Sequence, residues 1–146
     1  MGELVRRLIG AVLANITMVI LYDQFNLPPD IFEIIFATPQ QKIVARVLIN
    51  FMKSNGGEIN KTQMSFFATK LHEGTLEAEI EEPGFKGKTV RLAYNKRQFY
   101  DRILTPMKSM GLINYNLYSK TYKVSVQFSE TIAKIALMWS QEARAK

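Results

Sequence analysis

Gly111 closes one helical pattern, and directly beyond it lie two runs rich in Tyr, Val and Thr, residues 112–118 and 121–126, with just Ser119-Lys120 between them. Aromatic and β-branched residues suit a pleated surface, and so short a separation joins the runs as a tight antiparallel hairpin. A similar pattern occurs earlier. Residues 75–82 (TLEAEIEE) alternate apolar with polar, Pro83-Gly84 is a turn signal, and 88–94 (KTVRLAY) alternate again. Elsewhere apolar residues recur at helical spacing, so the chain is expected to be α+β and mostly helical.

Caps bound the helices. Residues 4–22 carry apolar side chains at 4, 5, 8, 9, 12, 13, 16, 19 and 20, a helix with an unusually wide apolar face. Its charge-free part, Leu8 to Tyr22, follows Arg6 and Arg7 and has the outline of a signal peptide or anchor. It is shorter than the roughly 20 residues that span a bilayer, Asn15 and Thr17 interrupt it, and no small-residue cleavage site follows. A helix buried in the core or in a subunit interface is the expectation, with no membrane partner and a cytoplasmic location. Asn26-Leu-Pro-Pro-Asp30 breaks the chain, and Ile31 to Phe36 supplies one or two helical turns.

Thr38 caps the next helix, with Pro39 first and Gln41 placed for a capping box. Its buried stripe is Ile43, Val44, Val47, Leu48 and Phe51, and Asn55-Gly56-Gly57 ends it. Glu58-Ile59 is a short extended link. Asn60 caps a helix from Lys61 to about His72 with Met64, Phe67 and Leu71 inward. Asn95 caps another running to Met110, in which Pro106 should produce a kink or a split after Leu104. Ser129 caps the last, whose stripe is Ile132, Ile135 and Trp139.

Composition narrows the function. The 146 residues suit one domain of ordinary size, and 47% hydrophobic with 22% charged describes a folded chain. With no cysteine and one histidine, disulfide frameworks, thiolate nucleophiles and most metal and triad patterns drop out. An enzyme is not expected, and no cofactor or small-molecule ligand is indicated. The net charge of +6 favours a polyanionic partner. It is concentrated in two segments. Residues 38–72 hold five Lys or Arg against Glu58 alone, and 94–124 hold six against Asp101 alone.

From residue 38 the order is helix, short strand, helix, inserted hairpin, helix, strand, turn, strand, helix. KIVARVLINFMKSNGGEINKTQMSFFATKL resembles the first two helices and intervening strand of a winged helix-turn-helix. NKRQFYDRILTPMKSMGLINYNLYSKTYKVS resembles the recognition helix and wing of MarR-type and archaeal winged-helix regulators. The resemblance covers 38–72 and 94–126, and the hairpin at 73–93 departs from the family pattern. It implies a winged-helix domain over 38–128 that binds double-stranded DNA, flanked by helical dimerisation elements at 1–37 and 129–146. The implied protein is a homodimeric transcriptional regulator.

The chemistry of the residues suits that reading. A recognition helix enters the major groove by its N-terminal end, and here that end carries Asn95, Lys96, Arg97 and Gln98, followed by Asp101 and Arg102. Arg bonds guanine and Gln bonds adenine in bidentate fashion. Phe99, Tyr100, Ile103, Leu104 and Met107 form the side that packs. Lys61, Thr62 and Gln63 open the preceding helix, and Tyr118, Lys120 and Lys123 lie at the wing, where phosphates are within reach. At the tip of the inserted hairpin, Lys86 and Lys88 are a possible extra DNA contact. Glu77, Glu79 and Glu81 share one strand face, for cross-strand pairing with Lys88 and Arg91 rather than a metal.

Two other classes compete: a winged-helix protein-interaction module of a larger assembly, and a non-specific nucleoid or single-strand binder. The second would stack bases on Tyr94, Tyr100, Tyr115, Tyr118 and Tyr122. His72-Glu73 matches no metalloprotease spacing, and Gly56-Gly57 is not a phosphate loop.

Overall fold

A computed structural model of the chain describes residues 22–80 and 87–146. The helix expected over 4–22, apart from Tyr22, and Glu81 and Lys86 lie outside the described residues. The fold is α+β, with a three-stranded antiparallel sheet and a separate two-stranded hairpin among the described residues. Among the described residues no helix is long and apolar enough to cross a membrane. The chain divides into two compact units between Arg46 and Val47.

In the first unit, Asp30 caps α1 (Ile31–Ile35) by accepting the Phe32 N–H at 3.0 Å. The same carboxylate receives the Arg46 guanidinium at 2.6 Å, and that guanidinium lies 4.6 Å from the centre of the Phe32 ring. Lys42 meets Glu33 at 3.0 Å. Thr38 Oγ1 accepts the Gln41 N–H at 3.2 Å at the start of α2 (Pro39–Ser54), but the expected capping box is only half made. The Gln41 side chain is buried instead of reaching back, and its Oε1 has no hydrogen-bond partner among the described residues.

The second unit takes up α2 from Val47. Leu48 and Met52 are fully buried there, while Phe51 is half-buried and stacks on Phe67 at 5.4 Å. Gly56 and Gly57, both left-handed, turn the chain into β1 (Glu58–Asn60). Helix α3 (Lys61–Glu73) buries Met64, Phe67, Ala68 and Leu71 and ends on left-handed Gly74. The hairpin follows as β2 (Leu76–Glu79) and β3 (Thr89–Leu92), with Glu77 opposite Arg91 and Glu79 opposite Thr89. Its alternation keeps Leu76, Ala78, Val90 and Leu92 half-buried and the Glu and Arg side chains exposed.

The next helix divides after Leu104, ahead of Pro106. After α4 (Lys96–Phe99) the chain makes a π-helical turn over Tyr100–Leu104, in which the Thr105 N–H bonds the Tyr100 carbonyl, and α5 (Thr105–Ser109) then starts with Pro near its first position. The conformation changes after Leu104, as expected. A wider turn absorbs the proline, whose missing N–H is harmless at a helix start.

Strands β4 (Ile113–Asn116) and β5 (Thr121–Val124) pair antiparallel, and β1 adds to the free side of β5, giving the order β1-β5-β4. The connecting turn is longer than Ser119-Lys120. It takes residues 117–120, because Asn116 Oδ1 accepts the N–H groups of Tyr118 and Ser119 and Lys120 supplies the left-handed residue at φ 55°. Helix α6 (Gln127–Arg144) starts before Ser129, with the Gln127 N–H taken by the Ser125 hydroxyl at 3.1 Å. None of its residues is buried; Ile132 is half-buried and Ile135 and Trp139 are exposed.

Candidate nucleic-acid interface

Helix α3 holds the start of α4. The Tyr94 N–H bonds the Leu71 carbonyl at 3.0 Å, the Lys96 N–H bonds His72 Nδ1 at 3.1 Å, and the Lys96 ammonium donates to Thr69 Oγ1 at 2.9 Å. Asn95 Oδ1 accepts the Gln98 N–H at 3.0 Å. The inserted hairpin therefore leaves from α3 and returns to it, with Gly74 close beside Ala93. With the hairpin anchored at both ends, α4 packs directly against α3, and Phe99 is fully buried with its ring 5.6 Å from that of Phe67.

The other face of the helix is open. Phe99, Ile103, Leu104 and Met107 are buried and Tyr100 is half-buried, while Arg97, Gln98, Asp101 and Arg102 are exposed. Arg97 approaches Asp101 at 3.7 Å across one turn, with both side chains largely in solvent, so the pair is weak. Lys96 is half-buried and tied to Thr69, which sets it apart from its exposed neighbours.

The turn between β4 and β5 meets the opposite end of α3. The Lys61 N–H bonds the Lys120 carbonyl at 2.9 Å, which brings two of the expected contact groups together. Lys61, Thr62, Tyr118, Lys120 and Lys123 are all exposed. Gln63 is committed elsewhere. Its Oε1 accepts the Asn60 N–H at 2.8 Å while its own N–H bonds Asn60 Oδ1 at 2.7 Å, a complete capping box. Lys61, Thr62, Ser65, Phe66 and Thr69 line one shallow depression along α3. At 1.5 Å rise per residue, about 12 Å of helix separates Lys61 from the place where Lys96 docks. Lys88 is exposed at the edge of the described hairpin.

Most of the tyrosines are not a stacking platform. Tyr94 and Tyr122 are buried, and Tyr115 lies half-buried against Tyr122 at 4.5 Å between ring centres. Burial pushes the Tyr100 phenol above its ordinary value against a hydrogen bond from Ser65. Burial also raises Tyr122, with Tyr100 and Tyr115 adding to it. Tyr118 is the fully open one of the five.

His72 is a site residue that sequence reasoning missed. It caps the backbone of α4 from residues far away in the chain, so no local spacing signals it. Among the described residues no group of three or more His, Cys, Asp or Glu is placed to hold a metal ion. Glu77 meets Arg91 at 3.8 Å on the open hairpin face. The chain matches no family model, no curated protein and no solved structure.

Proposed function

We propose that this chain is a winged-helix protein that binds double-stranded DNA, with the helix over 96–109 as its recognition helix, and that it acts in the cytoplasm as a homodimeric transcriptional regulator. One observation carries the reading. The helix is fastened to α3 by its first residue and by its apolar side, and this leaves Arg97, Gln98, Asp101 and Arg102 unpacked at its N-terminal end. A helix so held presents bidentate base-reading side chains to solvent, while its first N–H groups are largely taken by His72 and Asn95. The sheet order β1-β5-β4 and the Lys61–Lys120 junction support a wing beside it. The chemistry is that of a binding protein rather than an enzyme.

The dimer is supported by α6. Its exposed Ile135, Leu137, Met138 and Trp139 offer a surface for a two-fold copy, and half-site reading then requires the two recognition helices to lie about 34 Å apart.

Fluorescence anisotropy with duplex DNA over a range of salt tests the proposal. Binding should weaken steeply with salt. Arg97→Ala or Arg102→Ala should cost about 1 to 3 kcal/mol on a selected duplex and relax its sequence preference, whereas Lys120→Ala should weaken all duplexes alike. Unchanged affinity in both arginine variants would refute the recognition helix.

A further inference from the structure

The turn between β4 and β5 carries two large apolar side chains that the basic surface around it does not use. Leu117 is 77% exposed and Tyr118 is 98% exposed, side by side at the tip. Turns are ordinarily made of small polar residues, and a folded chain gains by covering large apolar ones.

The turn that holds them is braced. Besides the two Asn116 side-chain bonds, the Lys120 N–H bonds the Asn116 carbonyl at 2.8 Å. The hydroxyls of Ser119 and Thr121 share a hydrogen bond at 2.7 Å, and Lys61 fastens the Lys120 carbonyl from α3. Leu117 and Tyr118 are thus held outward on a stiff support.

Their surroundings are basic. Lys61, Lys120 and Lys123 are exposed around the turn, and the one acid lining the adjoining depression is Glu58, which pairs in register with Lys123. The fitting partner has an anionic rim and an apolar interior, which describes a DNA duplex whose stacked bases lie behind phosphates.

We propose that Leu117 and Tyr118 form a wedge that enters the minor groove and opens one base step, bending the duplex, while Lys61, Lys120 and Lys123 hold the flanking phosphates. This rests on the DNA-binding reading and adds to it a deformation of the DNA. The favoured site is a flexible pyrimidine–purine step such as TpA.

The test uses the full chain and short duplexes with 2-aminopurine at their TpA steps and a dye pair at their ends. Binding should raise the 2-aminopurine fluorescence severalfold and increase energy transfer between the ends. A TpA-rich duplex should bind about tenfold more tightly than a GC-rich one. The L117S/Y118S double variant should lose all three effects and bind more weakly, with an unchanged slope of affinity against salt, because neither side chain is charged. Both positions are exposed, so its urea unfolding transition should match that of the wild type.

Duplex binding without either optical signal overturns the wedge and leaves the DNA reading standing, as do signals that persist in the double variant. No duplex binding at low salt overturns both. Sedimentation with phosphatidylcholine–phosphatidylglycerol vesicles that depends on Leu117 and Tyr118, with no optical change on DNA, assigns the tip to a lipid surface and overturns the wedge.

Discussion

Substituting Gly111 separates two reasons for a glycine, backbone conformation and close approach. Gly111 has φ +84°, and a Cβ placed there would lie 2.8 Å from the backbone N of Phe128 and 3.1 Å from the C and Cβ of Gln127. Those atoms open α6, which is held here by the Phe128 N–H on the Gly111 carbonyl at 3.0 Å and the Ser125 N–H on the Leu112 carbonyl at 2.9 Å. The clash is with backbone, so no rotamer change relieves it. Gly56 is the internal control, with φ +78° and nothing within 4 Å of the position a Cβ would take.

Gly56→Ala should therefore cost the left-handed backbone alone, about 1 to 2 kcal/mol. Gly111→Ala should cost that and an overpacking of about 1 to 3 kcal/mol, for a total of about 2 to 5 kcal/mol. Urea denaturation of the two variants and the wild type, compared at equal m, measures the difference. Amide hydrogen exchange at Ser125 and Phe128 should accelerate in the Gly111 variant and not in the Gly56 variant. Equal losses of stability in the two would refute the close approach as the reason for Gly111.

Asp101→Asn frees Arg97 and removes an anion from the exposed face, so affinity for any duplex should rise severalfold at low salt; an unchanged or lower affinity in an anisotropy titration counts against this face meeting phosphates. His72→Ala removes the acceptor of the exposed Lys96 N–H and should cost about 0.5 to 1.5 kcal/mol in urea unfolding, with faster exchange at the Lys96 amide. Tyr100 and Tyr122 are held above the ordinary phenol value of 10.0, by burial first, so the folded state favours the neutral rings. That stability is complete below pH 10 and is lost as pH rises through the raised folded values; unfolding midpoints should fall in that alkaline range, and less so in Tyr100→Phe and Tyr122→Phe. Ile135→Glu with Trp139→Glu should yield a monomer in sedimentation equilibrium if α6 joins two copies, and a dimer of unchanged affinity would exclude it.

What the sequence displays well is chemistry acting over one turn. Asn60 and Asn95 each accept a backbone N–H from the residue three positions on, and Gly111 stops its helix, because caps are settled by neighbouring residues. Even there a local signal can have a use other than the expected one. Gln63 stands three residues after Asn60, the spacing of a capping box, so its side chain serves the helix rather than standing free as expected. Asn116 likewise marks an Asx turn, which makes the turn between β4 and β5 longer than Ser119-Lys120 alone suggests. The contacts that fasten Lys96 are hidden for a different reason: Thr69 and His72 lie beyond an inserted hairpin, and pairing across such a distance leaves no periodicity to read.

The helix over 96–109 shows how far a local rule reaches. Proline inside a helix costs a hydrogen bond and clashes with the preceding turn, so a kink or a split after Leu104 is the natural expectation. A break there would free the second half to turn away, taking Met107 from the buried side to which Phe99, Ile103 and Leu104 belong. The π turn over Tyr100–Leu104 keeps all four buried by placing an extra residue in one turn. The same extra residue rotates everything after it, so a helical wheel drawn with one period from Lys96 to Ser109 misplaces the second half. Arg97, Gln98, Asp101 and Arg102 stand before or within that turn. The exposure of Arg97 and Gln98 follows from the first-turn packing of Phe99 on Phe67, and Asp101 and Arg102 stay exposed inside the wider turn.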